Sequence, residues 1–278
     1  MKSLALDGGT PVRSGKPLLV ETDVFEDEEL QALLAVALKK KLRRAEAALE
    51  YERALADWFG AKHAIAVSNG TTAVSNGTTA LHIALAAFGI GPGDEVIVTP
   101  YTFIASDSCV MEQNAVPIFA DVDPRYLTLD PADVERKITP RTRAIIPVSI
   151  MGTPVDLDPI MELARKHNLW VVEDCAQSPG ATYKGKKVGT IGHVGTFSTI
   201  SGKITSTGEG GFVITNDDDL YDKMWGTCTT RCGAIWISRA NARWAPRRST
   251  IGACRAPTTG SPICRPRSAS SRSRRWTA

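Results

Sequence analysis

From His63 to Asp217 the sequence alternates short, almost wholly apolar runs with segments of helical character, and no other feature constrains the fold as strongly. HAIAV (63–67), the EVIV within GIGPGDEVIVTP (89–100), AVPIFADV (115–122), RAIIPVSI (143–150), LWVVED (169–174), GTFSTI (195–200) and GGFVITND (210–217) read as strands. Between them, helices are expected over about Thr79–Phe88, Phe103–Asn114, 130–138 and 156–168, the third opened by an Asp130 cap. Strands apolar on both faces and separated by helices predict an α/β fold with a mainly parallel sheet sandwiched by helices. In such sheets ligands sit at the carboxyl ends of the strands. Ahead of this body, residues 25–59 predict a charged helix, broken in the middle and without sign of chemistry.

Composition narrows the class. The 278 residues, 43% hydrophobic and 23% charged, are ordinary for a globular protein with a sizeable core. No apolar run approaches the roughly 18–20 residues that span a bilayer, and MKSLALDGGTPVR lacks a secretory pattern, so a cytoplasmic location and no membrane partner are expected. The four histidines show no metal-ligand pairing, and Cys109 and Cys175 read as buried reduced thiols, so no metal is expected.

Three features land at strand ends. VSNGTTAVSNGTTA (67–80) repeats seven residues in tandem between a strand and a helix. Either copy, Gly70-Thr71 or Gly77-Thr78, can place backbone N–H groups and a hydroxyl at a helix N-terminus, which suits a phosphate. The ordinary alternative is a helix cap. Because Ser, Asn, Gly and Thr are poor helix formers, the second copy is expected at the helix start with the first looped out. Asp174 ends an apolar strand, where a carboxylate is costly unless something cationic meets it; an ion pair or cap is its structural reading. Lys203 lies between a strand and a glycine cluster in FSTISGKITSTGEGG (197–211), where it also reads as a surface lysine. Taken together, a phosphate cradle, a carboxylate for a ring nitrogen and an amine able to form a Schiff base describe what pyridoxal phosphate needs.

DGGTPVR, GPGDEVIVTPYTFIAS, VVEDCAQ, GATYKGKKVGTIGHVGTFS and TGEGGFVITND, in this order from about residue 5 to about residue 222, resemble the DegT/StrS group of sugar aminotransferases. That resemblance implies pyridoxal phosphate as cofactor and the fold-type-I large domain, with its seven-stranded sheet, over 61–222, following a helical segment at 1–60. Lys203 would be the cofactor-bonding lysine that moves the 1,3-proton, and Asp174 would pair with the pyridine nitrogen. Gln177 would bond the ring's 3-oxygen region, Phe103 would stack on the ring, and Ser198 with the SNGTT segment would hold the phosphate. It also implies a homodimer that moves an amino group from glutamate or glutamine to a keto sugar, often nucleotide-linked, or a ketocyclitol. Lys203 argues against the histidine-bearing dehydratase branch.

The sequence departs from that pattern in four places. FSTISGK lacks a usual glutamine, KKKLRRAEAALEYERAL (39–55) replaces a glycine- and tryptophan-bearing stretch, and the phosphate segment is duplicated. The fourth departure is 223–278, where a small C-terminal domain is expected to be missing. After Asp222 there is no Asp or Glu, while Lys223 and 11 Arg give +12. Residues 254–270, CRAPTTGSPICRPRSAS, can be encoded so that the frame two bases along spells SGTYNRLTDLQAAIGL, an amphipathic and family-like pattern. A single-base insertion or deletion around 223–250 is therefore the expected origin of a basic, disordered tail. An inactive fragment is the competing expectation for the chain. Nucleic-acid binding is not favoured, since the tail shows no recognition fold, and CTTRC with two isolated cysteines matches no zinc spacing.

Overall fold

The computed structural model describes residues 27–39, 46–67 and 77–229. Gly70, Thr71 and the tail from residue 230 lie outside the described residues. Seven strands form one sheet in the order β1-β9-β8-β5-β4-β2-β3. These are β1 (His63–Val67), β2 (Glu95–Val98), β3 (Val116–Phe119), β4 (Thr142–Ile145), β5 (Trp170–Asp174), β8 (Val194–Ser198) and β9 (Gly211–Thr215). Only β9 runs against its neighbours, pairing antiparallel with β1 and β8, so the sheet is mainly parallel. A separate hairpin pairs β6 (Thr182–Tyr183) with β7 (Lys186–Lys187).

Helices cover both faces, and strand parity assigns the side chains. Alternate residues of a strand point to opposite faces. Val96, Val98 and Val172 therefore join the cluster under α3 (Gly77–Ala87), α4 (Ala105–Glu112) and α7 (Asp218–Thr229). Ile97, Ile145 and Val171 join the cluster under α5 (Pro131–Lys137) and α6 (Leu157–His167). β2 is buried at all four positions, as a strand covered on both faces must be. β3 is an edge strand and carries Pro117, whose missing N–H is tolerable there.

Local chemistry sets the helix ends. The Asp130 side chain accepts from the Ala132 N–H, Pro131 fills the first turn of α5, and Arg136 and Lys137 complement the dipole at its end. α6 buries Leu157, Ile160, Leu163 and Ala164 on one stripe and stops at Asn168, which is left-handed at φ 54°.

The segment 25–59 holds two described helices, α1 (Asp27–Leu38) and α2 (Glu46–Phe59), in keeping with the expected mid-segment break. Three other expectations need correction. α2 is part of the large body: its Ala56 and Phe59 pack with Phe197 and Phe212, whose rings stack 4.5 Å apart. The strand expected over 143–150 ends at Ile145, before Pro147, and rejoins the sheet only where Val148 bridges Asp174. The composition break at 222/223 falls inside α7, whose Met224 is fully buried, so the ordered body runs past it.

Candidate active site

A cleft of about 270 Å³ opens at the carboxyl ends of β5 and β8. It gathers Gly77, Thr78, Phe103, Asp174, Gln177, Ser198 and Lys203, every described residue that the sequence singled out. Parity explains the meeting. Asp174 lies two residues past Val172, and Ser198 four past Val194, so both point to the face covered by α3 and α4. Asp174 pairs with Thr196 in register, which sets the two strand ends side by side.

α3 starts at Gly77, in the second copy of the repeat. Its N-terminus presses on β8 so closely that a Cβ at Gly77 would lie 3.0 Å from the Ser198 Cβ. This approach brings helix-end N–H groups, the Thr78 side chain and the Ser198 hydroxyl to one end of the cleft, an arrangement suited to a doubly charged phosphate.

At the floor, Asp174 is buried at 5% exposure. Its Oδ2 accepts from Ser106 Oγ at 2.7 Å and its Oδ1 from the Ala176 N–H at 3.1 Å. Burial pushes this carboxyl up, while the Ser106 hydroxyl, the Ala176 amide and the charge of Lys203 pull it back down. Lys203 stands on a turn in which its own N–H reaches Ile200 O at 3.1 Å, after Gly202 at φ 87°. Gln177 is oriented from outside the cleft. Its Oε1 accepts from the Met151 N–H at 3.1 Å, and because only an oxygen can accept there, the Nε2 amide group is the end left to donate. Met151 itself is left-handed at φ 50°. Phe103 is 64% exposed at the cleft wall.

Sequence reasoning missed Ser106, Thr102, Met151 and Glu173. Glu173, one residue before Asp174, points to the other face. There it accepts from the N–H groups of Gly189 (2.7 Å), Ile191 (2.8 Å) and Gly192 (2.5 Å), tying the turn before β8 to β5. The adjacency of two acidic residues at a strand end was the one available signal, since parity sends them to opposite faces.

The sheet order, the crossover helices and a carboxylate and lysine sharing a cleft with a helix N-terminus define the large domain of a fold-type-I pyridoxal phosphate enzyme. The chain belongs to the DegT/DnrJ/EryC1/StrS aminotransferase family, whose sequence model matches residues 23–234. It is 55% identical over 176 residues to GDP-perosamine synthase of Caulobacter vibrioides, covering 63% of this chain and 46% of that protein. To L-glutamine:2-deoxy-scyllo-inosose aminotransferase of Streptomyces kanamyceticus it is 45% identical over 228 residues, covering 80% of this chain and 51% of that one. Among solved structures, an aminotransferase from Psychrobacter cryohalolentis superposes with a TM-score of 0.69 at 45% identity, over 73% of this chain and 51% of that chain. The chain thus spans about half the length of the curated relatives it matches. No helix among the described residues is long and apolar enough to cross a membrane.

The residues present fit the family's cofactor. Asp174 receives hydrogen bonds from a hydroxyl and an amide, and its buried carboxylate suits a protonated ring nitrogen. The amine of Lys203 lines the same cleft, and the phosphate end is built from a helix terminus and hydroxyls.

Proposed function

We propose that this chain carries the cofactor site of an aminotransferase that moves an amino group from glutamine or glutamate to a nucleotide-linked keto sugar or a ketocyclitol. The observation that supports it most directly is the shared cleft of Asp174, Lys203 and the Gly77-Thr78 helix terminus. Similarity to a GDP-perosamine synthase and to a glutamine-dependent inosose aminotransferase supports the acceptor class and the donor.

Pyridoxal phosphate, when bound, supplies an electron sink for the carbon that carries the amino group. Thr78, Ser198 and the α3 amides would hold its phosphate. Asp174 would keep the proton on the ring nitrogen, Phe103 would cover a ring face, and Gln177 would donate from Nε2 to the ring oxygen. Lys203 Nζ would anchor the cofactor, and its amine, lining the same cleft, is the base that would move the proton at the donor's carbon. A second copy of the chain is the partner this reading takes, in a cytoplasmic homodimer.

The test adds pyridoxal phosphate to the purified chain. Visible absorbance that borohydride traps as a modification on Lys203, and that Lys203→Ala abolishes, supports the site. A chain that takes up no cofactor, or one still modified after Lys203→Ala, overturns it and leaves a non-catalytic fragment. Transfer of nitrogen from glutamine to a keto sugar is then assayed directly by mass of the product.

A further inference from the structure

Ser106 sits in the first turn of α4 at 1% exposure, yet its hydroxyl does no work for the helix. α4 begins with no side-chain cap bond. A serine inside a helix commonly turns its hydroxyl back to a carbonyl one turn earlier; this one reaches Asp174 Oδ2 instead, at 2.7 Å across 68 residues of chain. Thr102 Oγ1 lies 2.9 Å from the same Ser106 oxygen. A serine has one hydroxyl proton, and an ionised carboxylate accepts only. The Ser106 proton therefore goes to Asp174, and Thr102 must donate to Ser106. The direction of the whole relay, Thr102 to Ser106 to Asp174, is set by the charge at its end.

The relay also fixes geometry. One carboxylate oxygen is held by Ser106 and the other by the Ala176 amide, so the carboxylate plane cannot turn about its last bond without losing one of them. Burial works against the ionised form; among the described titratable groups near Asp174, the Lys203 amine favours its charge, the thiols Cys109 and Cys175 are buried, and Glu173, the preceding residue, points to the opposite face and bonds Gly189, Ile191 and Gly192.

Resting on the cofactor reading above, we propose that Ser106, oriented by Thr102, is a positioning residue that holds the Asp174 carboxylate aimed at the ring nitrogen. Chained hydroxyls polarise one another, so the second member strengthens the first. A charge-assisted bond of this kind corresponds to roughly a 10- to 100-fold change in an equilibrium constant.

Ser106→Ala, Ser106→Thr and Thr102→Val are compared with the parent chain by titration with pyridoxal phosphate, by the pH midpoint of the bound cofactor's visible absorbance, and by urea unfolding. Ser106→Ala is expected to bind roughly tenfold or more weakly. Its midpoint rises by about half a unit or more, because a ring nitrogen held less firmly in its protonated form withdraws less charge from the linkage to Lys203. Thr102→Val moves both readouts the same way by less, and Ser106→Thr, which keeps the hydroxyl, restores them. Parental affinity and midpoint in Ser106→Ala overturn the proposal; if that variant does not fold, the same result in Thr102→Val does so. A parent chain that binds no pyridoxal phosphate overturns the functional reading and this one with it, whereas a binding parent with an indifferent Ser106→Ala overturns this one alone.

Discussion

Deleting one copy of the tandem repeat, residues 67–73, should leave the fold intact and raise its stability. Removal of either copy yields the same sequence, in which a single VSNGTTA joins β1 to α3. The alternative use of the repeat, with Gly70-Thr71 at the helix start, shifts every α3 position by seven. Val74, Asn76, Gly77 and Thr78 would then take the places of Leu81, Ile83, Ala84 and Leu85, none more than 5% exposed. Losing two or three large apolar side chains and burying an amide and a hydroxyl costs on the order of 6–10 kcal/mol, comparable to the whole stability of a domain. The second-copy register therefore holds, with α3 starting at Gly77, and the first copy falls between the end of β1 and that start. Shortening that connection from the nine residues 68–76 to two lowers the chain-closure cost by about 1.3 kcal/mol. With a slope of about 2 kcal/mol/M, the urea midpoint should rise by roughly half a molar unit with the slope unchanged. Unfolding followed by circular dichroism measures it, alongside pyridoxal phosphate titration. A lower midpoint, or lost cofactor binding at parental stability, would show that the first copy makes a contact of its own and would refute the register argument.

Gly195→Ala should cost roughly 3 kcal/mol or more, because the new Cβ would meet Gly189 backbone atoms at 2.3–2.8 Å, and backbone cannot swing aside; a parental denaturation curve would show that β8 and the preceding turn separate freely. Asp107→Asn should stabilise the chain at pH 7.5 but not at pH 4. Burial raises this carboxyl from its ordinary value of 3.8 to about 6, and its Oδ1 has no partner among the described residues. The folded chain therefore holds a proton that the unfolded chain releases. That contribution is full below pH 3.8 and is lost as pH rises through about 6. Allowing for solvent screening, the gain at neutral pH is on the order of 1–2 kcal/mol, and equal midpoint shifts at both pH values would contradict it. Resequencing the gene should find a one-base insertion or deletion between codons 226 and 250; an uninterrupted frame relative to a full-length paralogue rules this out.

Most of the sheet was legible because burial on both faces leaves an uninterrupted apolar signature: HAIAV and LWVVED gave β1 and β5 to within a residue. Where the sequence misled, a local device overrode the pattern. RAIIPVSI is apolar throughout, but Pro147 has no N–H to donate, so β4 stops early. The β6–β7 hairpin escaped notice because its strands have two residues each; its signal was Lys184-Gly185, with φ of 49° and 81°. Asp174 and Lys203 stood out because a charge at the end of an apolar strand and a lysine beside glycines are costly or unusual placements. Ser106 did not, because serine at a helix start is the commonest cap. Only the spatial meeting of α4 with β5 gives its hydroxyl a different partner.

The structure bounds where any frame change in this chain can begin. Composition alone put the break after Asp222, the last acidic residue. Helical packing contradicts so early a change. Leu220 and Met224, four residues apart, are both buried in the cluster beneath α3, and Trp225 packs against that cluster while stacking with Tyr221 at 6.0 Å. Tyr221 in turn stacks on His63 at 4.2 Å, and Asp218 bonds both His63 and Lys62, fastening α7 to β1. Residues drawn from a shifted frame have no reason to continue an apolar stripe at helical spacing, so the frame is intact through Trp225; the family match, which runs to residue 234, agrees. Every described residue of the cleft lies between Gly77 and Lys203. A frame change after Trp225 would therefore leave the cofactor site spelled as its fold requires, and cofactor binding tests the cleft separately from any effect of the tail on turnover.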